Sequence, residues 1–211
     1  MANLLTILRM LLAVIAIEFL FTGKPDLSVS AVFITLFVII LDGLDGYVAR
    51  ANNEQSKFGS VFDIIGDRVV ESLYWITFAI LGYVAAWVPI VVVTRGIITD
   101  GLRSIALAHG YTAFGDNTMM KNPIFHCLTA SRFSRAVYGL AKTLAFIALI
   151  IAYLPNLEFY DYMSIDQFAY YALYQKNLIL TADILVYITV AMCIIRGLPV
   201  IFESKRYIDE K

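Results

Sequence analysis

Residues 41–68 read LDGLDGYVARANNEQSKFGSVFDIIGDR, and their reading decides how the rest of the 211-residue chain is understood. Four aspartates, Asp42, Asp45, Asp63 and Asp67, stand at the inner ends of two otherwise apolar segments. An ionised carboxylate at the centre of a lipid-embedded helix costs roughly 2.5–3.5 kcal/mol on insertion scales. Four such groups cost about 10 kcal/mol, less near the interface, so the pattern calls for a compensating partner. Bound cations are the first candidate.

Helical geometry groups these side chains. At 100° per residue, Asp42, Asp45, Gly46, Ala49 and Arg50 fall within a sector of about 140°. On the following helix Ser56, Gly59, Asp63 and Asp67 share a sector of about 80°. Two faces, each with a pair of carboxylates, are thus able to meet around one polar site. Gly46 and Gly59 lack a Cβ and let a ligand approach the helix backbone.

Working outward, 60% of the chain is hydrophobic and only 16% is charged, against about 25% charged in soluble proteins. This composition predicts an all-α integral membrane protein, a single domain over 1–211. The net charge of -1 leaves no basic surplus for nucleic acid. Apolar runs able to cross about 30 Å of hydrocarbon fall at about 4–22, 28–50, 57–84, 87–108, 133–154 and 178–202, six transmembrane helices in all. The first is read as a span and not as a cleaved leader, because no small-x-small cleavage site follows it.

Orientation follows from the basic residues. Lys57, Lys121, Arg132, Lys205, Arg206 and Lys211 lie in the loops and tail of one side, with Arg50, Arg135 and Arg196 at helix ends. The other side has Lys24 and Lys176, together with Glu158, Asp161 and Asp166. The positive-inside rule places both termini and the four aspartates in the cytoplasm, around a cytoplasm-facing polar cavity. The aromatic stretch 159–174 on the outer side reads as a short helix in the headgroup zone. Cys127, Cys193, His109 and His126 have no ligand-spaced companions and are read as inert.

The pattern Asp42-x2-Asp45-Gly46-x2-Ala49-Arg50-x8-Gly59-x3-Asp63-x3-Asp67 resembles the signature of the CDP-alcohol phosphotransferase family. The resemblance implies that Asp42, Asp45, Asp63 and Asp67 hold two Mg²⁺ ions, or Mn²⁺, with Asp67 also the general base. It implies CDP-lipid contacts from Gly46, Ala49, Arg50, Ser56 and Gly59, and from Asn3 and Thr6 ahead of the first span. It further implies a homodimer. A cluster of carboxylates independently suits hard, oxygen-seeking cations.

Intramembrane cations are functional candidates in their own right. Arg95, Arg103 and Lys142, with Arg132 and Arg135 at a cytoplasmic edge, are read as a site for the phosphate of the acceptor. Arginine suits that task through its planar fork. The runs TRGIITDGLRS (94–104) and GLAKT (139–143) resemble elements of phosphatidylglycerophosphate synthases, although Leu140 and Ile64 depart from that pattern. The expected reaction moves a phosphatidyl group from CDP-diacylglycerol, seated among membrane lipids, to glycerol 3-phosphate. Attack of the acceptor hydroxyl on the β-phosphorus gives phosphatidylglycerophosphate and CMP. Inositol phosphate or another alcohol is the alternative acceptor. The alternative of another class is a cation transporter or channel, which also needs intramembrane carboxylates. Their clustering at one side and the absence of paired repeats count against it.

Overall fold

The long apolar runs form helices because no polar solvent is present in a bilayer to satisfy an open backbone. A computed structural model describes residues 2–51, 57–108, 120, 122–129, 131–154 and 165–208. Among them are seven helices and no strand: α1 (Ala2–Phe21), α2 (Pro25–Ala51), α3 (Lys57–Ile80), α4 (Trp87–Ala108), α5 (Pro123–Thr129), α6 (Arg132–Ala152) and α7 (Ile165–Ile208). The protein is an all-α membrane protein. Among the described residues, four stretches combine the length and hydropathy of a membrane span: Asn3–Phe21, Pro25–Asp42, Pro123–Ala152 and Tyr171–Ser204. Helices α3 and α4 have the length, at 24 and 22 residues. They differ in carrying Asp63, Asp67, Arg68 and Glu71 on α3 and Arg95, Asp100 and Arg103 on α4.

The chain divides into two compact units, one of residues 1–86 with 143–184 and the other of 87–142 with 185–211. In the first unit α1 packs against α2 and α3. Ala13 and Ala16 on α1 and Ala31 on α2 are fully buried; small side chains let apolar helices approach closely where no hydrophobic effect drives them together. Phe146 of α6 lies with its ring centroid 5.0 Å from Tyr74, 5.0 Å from Trp75 and 5.4 Å from Phe78. This aromatic group joins α6 to α3. A buried hydrogen bond of 2.8 Å joins Thr35 Oγ1 on α2 to the Tyr74 hydroxyl on α3.

The helix ends follow from local chemistry. Gly23, with φ 65°, closes α1, and Pro25 opens α2 in the first-turn position where its missing N–H is harmless. After α3, Gly82 adopts φ 75°. The Tyr83 amide donates to Phe78 O and the Gly82 amide to Ala79 O, while the Tyr83 and Phe78 rings stack at 6.1 Å. That is a Schellman cap with its apolar contact.

In the second unit Ala106, Met120 and Val200 form a buried cluster with Leu102 and Phe125 packed on it. Asn122 caps α5 through its Oδ1, which accepts the Ile124 amide at 2.9 Å. Ser131 caps α6 by accepting the Ser134 amide at 3.1 Å. Two sequence expectations are corrected. The stretch 159–174 does not form a separate short helix within its described part, because Ile165 already opens the 44-residue α7. The expected loop 109–132 contains the short helix α5. Many large apolar side chains point outward, among them Leu4, Phe33, Ile97 and Phe133, each at least 67% exposed. Such a surface fits lipid contact.

Candidate active site

Asp42 lies near the end of α2, and Asp63 and Asp67 lie one turn apart on α3. The three side chains are about half exposed, at 48%, 45% and 43%. Each offers one oxygen, and these oxygens lie within 4.8 Å of one another. Ca²⁺ bound at 2.3–2.6 Å separates opposite ligands by about 5 Å, and Mg²⁺ at 2.0–2.1 Å separates them by about 4 Å. An all-carboxylate set of this size fits a hard divalent cation, or two cations sharing the set. Asp45, Gly46, Ala49 and Arg50 are on α2, but their side chains lie outside the described residues, as does Ser56 entirely. Gly59 lies near the start of α3.

The first helix completes this centre. Thr6 and Arg9 on α1 are 2% and 1% exposed. Arg9 forms ion pairs with Asp42, with Asp67 at 2.9 Å and with Asp63 at 3.5 Å. Its Nη groups face the carboxylates, whereas its Nε is buried without a hydrogen-bond partner among the described residues. The crossing of α1 and α3 is tight at Gly66, where an added Cβ would meet Thr6 Cγ2 at 2.5 Å and Arg9 Nη2 at 3.0 Å. Glycine is required there by space, not by backbone angle.

Sequence reasoning picked out Thr6, which the structure places one turn from Arg9, but gave Arg9 itself no place among the site residues. The signal was present: a lone cation within an apolar span is a functional candidate by the same rule that singled out Arg95. Asn3, on the first turn of α1, is partly exposed.

The basic candidates divide. Arg95 and Lys142 converge on the Tyr138 ring, at 5.7 Å and 5.9 Å from its centroid, and Arg196 joins them at 5.4 Å. These distances are within reach of cation–π attraction. Arg95 is held by donation of its Nε to Cys193 O at 2.9 Å, and its stem fills the space over Gly197. Arg196 donates to Thr129 O at 3.3 Å and to Ser134 Oγ, tying the end of α5 to the start of α6. Arg103 instead faces its helical neighbour Asp100 at 3.4 Å. Arg135 is on the first turns of α6, and the Arg132 side chain lies outside the described residues. Tyr138 and Arg196 were not among the expected site residues. Cys127 and Cys193 are both free thiols, the first exposed and the second buried. His109 lies outside the described residues, and His126 is on α5.

Against known proteins, a family model described as CDP-alcohol phosphatidyltransferase matches residues 1–195. The chain is 33% identical over 122 residues to a CDP-diacylglycerol–glycerol-3-phosphate 3-phosphatidyltransferase of Mycoplasma genitalium, covering 50% of this chain and 52% of that one. It is 35% identical over 109 residues to the protein of the same name from Cereibacter sphaeroides, covering 48% of each. Over 67 residues it is 39% identical to CDP-diacylglycerol–inositol 3-phosphatidyltransferase 1 of Arabidopsis thaliana, covering 32% of this chain and 28% of that one. The matched region spans about half the length of the first two relatives.

Proposed function

Because the chain belongs to the CDP-alcohol phosphatidyltransferase family, we propose that it transfers a phosphatidyl group from CDP-diacylglycerol to glycerol 3-phosphate. The observation that carries this reading is the convergence of Asp42, Asp63 and Asp67 from two helices onto a cluster 4.8 Å across. Asp45 is assigned to the same cluster by its place one turn from Asp42 on α2. Divalent ions bound there, Mg²⁺ or Mn²⁺, supply positive charge to the pyrophosphate and to the leaving CMP.

The protein's own groups divide the remaining work. Asp67 accepts the proton of the acceptor hydroxyl. The hydroxyl oxygen bonds to the β-phosphorus, the bond from that phosphorus to the bridging oxygen breaks, and CMP leaves with the electron pair. Asn3, Thr6, Gly46, Ala49, Arg50, Ser56 and Gly59 are assigned to the CDP-lipid. Arg95, Lys142, Arg103, Arg132 and Arg135 are assigned to the acceptor phosphate, with Arg95 and Lys142 favoured by their convergence on Tyr138. The membrane setting suits a donor whose acyl chains stay in lipid. Six spans, cytoplasmic termini, a cytoplasm-facing site in the cell membrane and a homodimer complete the proposal.

The acceptor is supported by the names of two relatives; the second reading is inositol phosphate or another alcohol, such as the inositol in a third relative's name. Purified protein in detergent, given CDP-diacylglycerol and radiolabelled glycerol 3-phosphate, is expected to release CMP and form a labelled lipid. Product with inositol phosphate alone would overturn the choice of acceptor. Divalent-ion flux without CMP release from either acceptor would favour the transporter.

A further inference from the structure

Among the described side chains, Arg9 is the most deeply buried charge beside the carboxylates. Its side chain is 2% exposed, whereas those of Asp42, Asp63 and Asp67 are 43–48% exposed. All three contacts go to Oδ1 atoms. The guanidinium is thus the buried partner of the set, and the half-exposed carboxylates are its part open to a dissolved ion. Guanidinium does not deprotonate in proteins, so this positive charge is permanent. Arg9 reaches from α1 to acids on α2 and α3, and the bare Gly66 backbone makes room for it.

We infer that Arg9 is a fixed, buried counter-cation of the cluster: it holds the three acids together and weakens their grip on a divalent ion. The inference rests on the reading of the cluster as a cation site. The three carboxylates carry three negative charges, and Arg9 offsets one of them. Removing it leaves the acids repelling one another with only the dissolved ion to bring them together. A unit charge about 6 Å from a divalent ion in a water-like medium changes its binding about tenfold. Tighter binding to the folded chain must also widen the stabilisation that the ion confers. A plain structural ion pair predicts neither effect, since its loss destabilises the fold equally with and without the ion.

The test uses the chain in detergent micelles with Mn²⁺ alone as probe. Free Mn²⁺ is read by electron paramagnetic resonance, and thermal unfolding is followed in EDTA and in saturating Mn²⁺. Arg9→Met is expected to bind Mn²⁺ about tenfold more tightly than wild type and to show a wider gap between the two Tm values. Arg9→Lys, which keeps the charge without the fork, is expected within about twofold of wild type. Equal or weaker binding by Arg9→Met, or an unchanged gap in Tm, overturns the inference. If Arg9→Met fails to fold in either condition, a tenfold change in Arg9→Lys overturns it and near-wild-type binding supports it. Wild type that binds no Mn²⁺ overturns the cation site itself, an outcome distinct from equal binding by both chains.

Discussion

Asp67 has two roles to fill in the proposed reaction, ion ligand and proton acceptor, and they can be separated. Asp67→Asn keeps an oxygen for the site but removes the basic one. Turnover is expected to fall by about 10²–10⁴-fold, the usual contribution of a positioned general base, while CDP-lipid binding is largely kept. Single-turnover assays alongside equilibrium binding check this, and undiminished turnover removes the base assignment. At this scale the sequence was most informative about acids and least about their counter-charge. The pairing of Asp42 with Asp45 on α2, and of Asp63 with Asp67 on α3, is visible because helical periodicity sorts residues within one element. Arg9 and Asp63 are 54 positions apart, and no local period connects them. The gathering of Arg95, Lys142 and Arg196 around Tyr138 likewise joins separate helices.

Among elements, the crossing of α1 over α3 is the most demanding contact near the site. Gly66→Ala gains about 0.5–1 kcal/mol of helix preference. Overpacking against Thr6 Cγ2, 2.5 Å from the new Cβ, costs about 1–3 kcal/mol. The clash should win, lowering Tm in detergent, and Thr6→Ser, which removes that methyl, should restore part of the loss in the double variant. A Tm equal to or above wild type would show that the crossing is looser than described. Element positions were legible wherever a hydrophobic run and a helix coincide, as for α1, α2, α4 and α6. They diverged at α7, expected from about residue 178 on hydropathy and found from Ile165. Hydropathy marks what dissolves in lipid, whereas a helix continues until something stops it. No proline or glycine stands between Ile165 and Arg196 to do so. The separate α5 was missed because seven residues are too few for a periodic signal.

For the molecule as a whole, the prediction concerns orientation. In a background with the exposed Cys127 replaced by serine, Lys24→Cys and Lys176→Cys should react with an impermeant maleimide from outside intact cells. Lys57→Cys and Lys121→Cys should react only after permeabilisation, and the reverse pattern would invert the proposed topology. The Thr35–Tyr74 hydrogen bond bears on how such a protein can change over generations. Thr35 precedes Asp42 by seven residues, and Tyr74 follows Asp67 by seven. Those equal arms, each about 10.5 Å of helix, act as a vernier between two antiparallel rods. A residue gained on one arm would rotate its acid by about 100° and lift it by about 1.5 Å. Insertions that survive selection should therefore spare both seven-residue intervals.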